Sequence, residues 1–261
     1  MSKTKAVWLI GFSGKMGAQV IDAIEKTTEF KLIGGTDAQG NFVGTRTEMK
    51  PAKLGLRDSQ LNVDVVIDFS VPGANRSLLQ DLKSRQGSKP SVLIATTGLE
   101  SSLIKEWEQY ARESNSLVLV APNTSVGVLA TLQAANFLGK HLRKLGFDIE
   151  ISETHHKRKQ DAPSGTAKMI ADSLAKNLDL KPVYDRKGAR KPDEIGVFGL
   201  RGGGVYGEHT ISFLGEEETI ELTHRALSRS LFAEGSIVLA KWLSDNAGRE
   251  SGLQYVWDIA F

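Results

Sequence analysis

The order of hydrophobic patterns in the first half of the chain limits its fold more than any other feature. Short β-branched runs at Ala6 to Ile10, Lys31 to Thr36, Val63 to Asp68, Val92 to Thr96 and Leu117 to Ala121 alternate with segments of helical period. The spacing predicts helices over Lys15 to Lys26, Ala74 to Arg85 and Leu99 to Asn115, giving the order β-α-β-β-α-β-α-β. Strands separated by helical crossovers pair in parallel, so this half is expected to form an α/β sheet of βαβ units. From about Ser125 the rhythm changes. An apolar helical stretch to Leu145, a strand Phe147 to Thr154 and a second helical pattern from Ser164 lead into Gly-rich and β-rich sequence. Phe198 to Leu200, Glu208 to Leu214 and Thr219 to Arg225 are expected as antiparallel strands of a separate sheet, before a final helix over Ala233 to Leu243.

The loop after the first strand, Gly11-Phe12-Ser13-Gly14-Lys15-Met16-Gly17, opens the first helix. That is the context in which glycines let a backbone approach a dinucleotide pyrophosphate, although the spacing is GxxGxxG and glycines there also serve plain turns. Asp37 ends the second strand about 20 residues past the last of these glycines, where a carboxylate can hold the adenosine ribose. A solvated loop carboxylate before Gly40 is the plainer reading of the same residue. Two further loops, Ala95-Thr96-Thr97-Gly98 and Ala121-Pro122-Asn123-Thr124-Ser125, follow strand ends, as does Asp68-Phe69-Ser70. Ligands of open α/β sheets bind at such ends, and the same residue types also make ordinary turns.

Composition narrows the functional classes. The 261 residues carry 33 Lys plus Arg against 31 Asp plus Glu, a net charge of +2, which is not the footprint of a nucleic-acid binder. With 40% hydrophobic residues the chain can build two unequal domains. It has no cysteine, which removes thiolate nucleophiles, disulfides and Cys-based metal sites. The apolar stretch after Lys5 meets Gly11 too soon for a signal peptide or a membrane span, so no membrane partner is expected and the cytoplasm is the default location.

One segment concentrates chemistry: Glu153-Thr-His155-His156-Lys157-Arg158-Lys159-Gln-Asp161-Ala-Pro163-Ser164-Gly165-Thr166. Ser164, Gly165 and Thr166 fall at a helix start, where backbone N–H groups lack partners and the helix dipole favours a carboxylate or phosphate. Adjacent histidines on a strand point to opposite faces, no HExxH spacing occurs, and three cations follow, so no metal is expected. Imidazoles and a lysine beside an anion seat suit proton transfer to a small anionic substrate. A nicotinamide would supply hydride, and these groups the accompanying proton.

The segment resembles the EAHHxxKxDAPSGTA signature of the 4-hydroxy-tetrahydrodipicolinate reductase (dihydrodipicolinate reductase) family. Supporting matches run through Gly11 to Gly17, Asp68-Phe69-Ser70, Thr96-Thr97-Gly98, Asn123 with Ser125-Val126-Gly127-Val128, Arg201-Gly202, Gly207-Glu208-His209-Thr210 and Glu250-Ser251-Gly252-Leu253. The resemblance implies a Rossmann-like parallel-sheet domain, residues 1–125 with 234–261, around an α+β substrate and tetramerisation domain with a mixed sheet, residues 126–233. It implies His155 as the acid/base residue, Lys159 as the proton donor, and His156, Ser164, Gly165, Thr166 and Thr97 as ligands of a small dicarboxylate. Gly11, Phe12, Ser13, Gly14, Lys15, Met16, Asp37, Ala95, Thr96, Thr97, Ala121, Pro122, Asn123 and Thr124 would contact NADH or NADPH, in a homotetramer. The implied reaction is hydride transfer to C4 of a cyclic imine dicarboxylate. Three positions depart from the family pattern. Ala38 stands where Arg is common beside the ribose-binding acid, Thr124 where an aromatic is frequent, and Ala95 where glycine is common. Asp37 would repel a 2′-phosphate that Lys15 could meet, so NADH is expected to serve at least as well as NADPH. Another Rossmann reductase, or a nucleotide-sensing protein without turnover, are the rival readings.

Overall fold

In the computed structural model, residues 4–44, 50–53, 55–58 and 60–259 are described. The expected N-terminal domain starts at residue 1 and ends at residue 261, and its residues 1–3 and 260–261 lie outside the described residues. The chain divides into two compact units, one formed by residues 1–125 with 232–261 and the other by residues 126–231.

In chain order the elements are β1 (Lys5–Ile10), α1 (Lys15–Glu25), β2 (Phe30–Asp37), β3 (Gly40–Val43), β4 (Lys50–Ala52), β5 (Val65–Asp68), α2 (Pro72–Ser84), β6 (Ser91–Ile94), α3 (Ser101–Ser114) and β7 (Leu117–Val120). There follow α4 (Val126–Leu142), a 3-10 turn Arg143–Leu145, β8 (Asp148–His155), α5 (Gly165–Leu178), β9 (Lys181–Tyr184), β10 (Glu194–Arg201), β11 (Glu208–Leu214), β12 (Thr219–Arg225), α6 (Ser230–Asn246) and β13 (Gly252–Tyr255).

The first unit holds a sheet of order β13-β7-β6-β5-β1-β2-β3-β4. All pairs from β13 to β2 are parallel, and β3 and β4 add an antiparallel hairpin at one edge. The sequence pattern foretold the parallel strands β1, β2, β5, β6 and β7 and missed β13 and this hairpin. Strands β5, β6 and β7 are buried along their whole length, as parallel strands with both faces covered must be. Val66, Val92, Ile94, Val118 and Val120 form one cluster with Leu78, Leu79 and Leu82 of α2 and Leu103 and Trp107 of α3. Trp8 is fully buried in it, its Nε1–H donating to Thr36 Oγ1 at 3.0 Å.

The second unit has the order β12-β11-β8-β10-β9. The expectation of three antiparallel strands holds for β11 and β12. It fails for the strand around Phe198 to Leu200, because β10 runs parallel to both β8 and β9. The connection 185–193 is short for a parallel pair. It is tied down by Arg186 to Glu150 (2.6 Å) and by Arg190 to Asp148 (2.8 Å) and Glu150 (3.1 Å), which lets β10 return in the same direction. Helices α4 and α5 pack on the face carrying Ile149, Ile151, Ile211 and Phe213, all fully buried. The opposite face carries Ser152, Thr210, Ser212, Glu221 and Thr223, with paired side chains at Thr210–Thr223 (3.0 Å) and Ser212–Glu221 (3.1 Å). No helix among the described residues is long and apolar enough to cross a membrane.

One cation organises the loop before β5. Arg85 is buried, and its guanidinium donates to the carbonyls of Ser88 (3.1 Å), Leu56 (2.9 Å), Asp58 and Leu61. Arg85→Met should leave these acceptors without a donor and lower unfolding stability by about 3 kcal/mol, read from denaturant melts.

Candidate functional site

In the first unit, register brings the predicted loops into line. Thr36 pairs with Ile10, Ile10 with Asp68, Asp68 with Ile94, Ile94 with Val120 and Val120 with Tyr255. The next residue of each inner strand then donates its N–H across the row: Gly11 to Thr36, Phe69 to Ile10, Ala95 to Asp68 and Ala121 to Ile94, at 2.8 to 3.1 Å. Asp37, Gly11, Ala95 and Ala121 therefore leave the sheet side by side at its carboxyl edge, where a parallel α/β sheet binds ligands.

Gly11 has φ +81°, a left-handed conformation that favours glycine, and a Cβ there would stand 2.7 Å from the Phe69 carbonyl oxygen. A Cβ on Gly17 would collide with the carbonyl oxygens of Gly11 and Phe12. Gly14 is the N-cap of α1 and no side chain caps this helix start, so its first amides face outward for an anion. Ser13, Gly14 and Lys15 are exposed there, while Phe12 packs edge-on against Phe42 with ring centroids 4.9 Å apart. This uncapped, glycine-lined turn fits a dinucleotide pyrophosphate.

Other predicted residues are committed to the protein itself. Asp37 accepts from the Gln39 N–H at 2.7 Å and closes the two-residue turn Ala38-Gln39 between β2 and β3. Thr96 is buried and donates to Asp68 Oδ2 at 2.9 Å, and Thr124 is buried and donates to the Phe232 carbonyl at 2.6 Å. Asn123 Oδ1 accepts from the Ser125 N–H at 2.9 Å. Thr97 is exposed. Asp68 itself is fully buried, and burial raises its pKa against the bonds from Asn75, Ser70 and Thr96.

In the second unit the segment from Glu153 to Thr166 folds over the end of β8. Ser164 is the N-cap of α5, its Oγ accepting from the Ala167 N–H at 3.2 Å. Lys159 Nζ lies 2.7 Å from Asp161 Oδ1, and the Gly165 N–H also bonds the Asp161 carboxylate. Burial opposes ionisation of Asp161, and Lys159 outweighs it, holding this carboxyl below the usual range. A carboxylate is thus already seated on the expected proton donor, Lys159, and on Gly165, one of the residues expected to receive a substrate carboxylate. The His156 N–H donates to Val205 O at 2.8 Å, while His156 Nδ1 is buried without a hydrogen-bond partner among the described residues.

Sequence reasoning named His155 but not its surroundings. Its Nδ1 lies 2.5 Å from Glu153 Oε2. Arg201, paired with His155 across β8 and β10, donates to both oxygens of Glu153 at 2.8 and 2.9 Å. The Ser164 N–H adds a bond of 2.9 Å to Oε1. His209 of β11 packs edge-on to His155 with centroids 5.2 Å apart, its Nε2 3.2 Å from Ser164 Oγ. The two-residue spacing of Glu153 and His155 on one strand face was the available signal, since alternate strand residues share a face. Burial pushes the His155 pKa down, Glu153 pulls it up, and Lys159 and Arg201 add to the lowering. Burial opposes the Glu153 charge, but Arg201, His155 and the Ser164 N–H overcome it and hold this carboxyl low.

An α/β protein with a glycine-lined anion turn at the carboxyl edge of a parallel sheet, and a second sheet bearing a histidine–carboxylate pair beside a lysine, has the build of a nicotinamide-dependent reductase. The family descriptions "Dihydrodipicolinate reductase, N-terminus" and "Dihydrodipicolinate reductase, C-terminus" match residues 5–124 and 127–256. The 4-hydroxy-tetrahydrodipicolinate reductase of Aquifex aeolicus is 38% identical over 266 residues, covering 97% of each chain. That of Methanosarcina mazei is 34% identical, covering 96% of this chain and 97% of the relative. The chain belongs to the dihydrodipicolinate reductase family. It is an oxidoreductase that uses a nicotinamide nucleotide in lysine and diaminopimelate biosynthesis. Among solved structures, a dipicolinate-bound dihydrodipicolinate reductase from Paenisporosarcina sp. TG-14 superposes with a TM-score of 0.77 at 23% identity, covering 99% of this chain and 100% of that one. A DAP dehydrogenase of C. glutamicum in complex with DAP shares the fold at a TM-score of 0.55 and 13% identity, covering 99% of this chain and 95% of that one.

A pH prediction follows from His209, whose pKa is pushed down to about 3, first by burial and then by His155, with Glu153 pulling the other way. Between about pH 6.5 and that value the unfolded chain binds a proton that the folded chain refuses. Stability should therefore fall as pH drops through this window, with melting temperature lower at pH 5 than at pH 7.5. His209→Asn should shrink that difference.

Proposed function

We propose that the chain reduces 4-hydroxy-tetrahydrodipicolinate to tetrahydrodipicolinate, with the first unit holding the nucleotide and the second the dicarboxylate. In the balanced reaction the 4-hydroxyl leaves as water, and a reduced nicotinamide, when bound, would supply the hydride for C4 while the protein supplies the accompanying proton. The observation that carries this reading is the carboxylate of Asp161 resting on the Gly165 N–H and on Lys159, the lysine whose charge also acts on His155. A substrate carboxylate competes for the same donors, joined by Ser164, Thr166 and the Nδ1 of His156, which has no hydrogen-bond partner among the described residues; Thr97, in the first unit, is a further candidate ligand of the dicarboxylate. The relative from Paenisporosarcina is described as dipicolinate-bound, a planar dicarboxylate, which agrees with this chemistry.

Each residue has a stated task. Lys159 donates the proton that balances hydride addition, and His155 acts as the acid/base beside it. The α5 start and the cations orient the ring by its carboxylates, so that the accepting carbon is presented in one pose. Gly11 to Met16 receive the pyrophosphate, Asp37 the adenosine ribose, and the loops Ala95 to Thr97 and Ala121 to Thr124 the nicotinamide end. Because the hydroxyls of Thr96 and Thr124 are turned into the protein, contacts from those two residues fall to their backbone. With Ala38 beside Asp37 and no Arg there, NADH serves at least as well as NADPH. The polar face of the second sheet, with Thr210, Ser212 and Thr223, is the surface on which copies assemble into a homotetramer.

The deciding assay is nicotinamide oxidation in the presence of enzymatically generated cyclic imine. Lys159→Ala and His155→Ala should each lose most turnover, on the order of a hundredfold or more, while nucleotide affinity is kept. Near-normal turnover in either variant would remove its role in proton transfer. Gly14→Val should abolish nucleotide binding by crowding the turn, where even a Cβ lies 3.1 Å from the Gly11 carbonyl oxygen. Comparison of kcat/KM for the two nucleotides checks the preference, and a clear advantage for NADPH would reverse it.

A further inference from the structure

We infer that Glu153 is a positioning residue for His155: clamped by Arg201 and the Ser164 N–H, it holds the imidazole proton on Nδ1 and leaves Nε2 as the nitrogen that exchanges protons with substrate. The inference rests on the acid/base reading of His155.

The carboxylate is saturated. Oε1 accepts from the Ser164 N–H and Arg201 Nη2, while Oε2 accepts from Arg201 Nη1 and lies 2.5 Å from His155 Nδ1. Glu153 is 1% exposed, so the charge survives there only because every lone-pair direction meets a donor. An acceptor of this kind, with no proton of its own, requires Nδ1 to carry the hydrogen, and the neutral ring then keeps its lone pair on Nε2. Ring and carboxylate cannot drift apart, because Glu153 and His155 stand two residues apart on β8, in the middle of the sheet. Arg201 comes in register from β10, and Gly199, the β10 partner of Glu153, has no Cβ; one would lie 2.8 Å from Oε1.

At the other edge of the ring, residue 207 adds no side chain. A Cβ on Gly207 would stand 2.9 Å from His155 Nε2, so the hydrogen at that position keeps the nitrogen approachable. His209 braces the ring edge-on from β11, and Lys159 is the remaining charge near it. A carboxylate serving only as glue between Arg201 and the α5 start would already be satisfied by three donors. The fourth, from Nδ1, sets the tautomer, a role whose loss in carboxylate–histidine pairs of this kind costs orders of magnitude in rate.

The test uses the full chain. Long-range proton–nitrogen spectra of His155 at neutral pH should show a proton on Nδ1 and a bare Nε2; the opposite tautomer in the unaltered protein would by itself overturn the inference. Glu153→Gln should scramble that tautomer, move the His155 titration midpoint to lower pH and cut kcat on the order of a hundredfold, with nucleotide affinity within about twofold. Glu153→Asp should recover part of the rate. If Glu153→Gln keeps the tautomer, the midpoint and kcat while His155→Ala is inactive, the positioning role fails and the acid/base reading stands. If His155→Ala turns over normally, the acid/base reading itself fails.

Discussion

Strand register decides where each functional group of the two units comes to rest, because a ladder of backbone bonds fixes the position of every side chain along it. In the first unit one row of pairs, from Thr36 through Ile10, Asp68 and Ile94 to Val120, sets the level at which five strands stop. The glycine turn, Asp37 and two loops are neighbours only because of that level. In the second unit the pairing of Arg201 with His155, and of His209 with Glu153, brings three strands' polar groups to one place. A slip of one residue would turn each of these side chains to the opposite face.

The burial of charge follows from the same geometry. Glu153 sits under the start of α5, so one carboxylate ties a helix N-cap, a strand neighbour and an imidazole together. Removing one partner from such a group leaves an uncompensated charge, which costs far more than the net contribution of the pair. Asp68 has a parallel position in the first unit, where Ser70, Asn75 and Thr96 satisfy it and Asn75 passes the network on to Trp107. Both units thus use a buried acid at a strand end to fix the loops around it.

What the sequence announced was what depends on period and local chemistry. The parallel strands, the helices between them and the start of α5 at Ser164 all follow from apolar spacing and capping residues. The hairpin β3–β4 and the strands β9 and β13 escaped because they are short and half-exposed, with little alternation to read. The direction of β10 was invisible for a different reason: alternation tells which face a residue takes, not which way the strand runs. Only the ion pairs of Arg186 and Arg190 explain how the short connection before it permits a parallel return. In the candidate site, His155 and Lys159 stood out by residue type, whereas Arg201 and His209 lie about 45 to 55 positions away and reach Glu153 and His155 through pairing alone.

The placement of β13 beside β7 has a bearing on how the chain is made. Residues 126–231 form their unit from one continuous stretch, so that unit can assemble as soon as it leaves the ribosome. The first unit is interrupted. Its sheet waits for a strand that follows residues 126–231 in the chain, and until then β7 presents an open edge of unpaired backbone groups. Nascent chains halted before Gly252 would carry that edge exposed, a strand free to pair with the wrong partner.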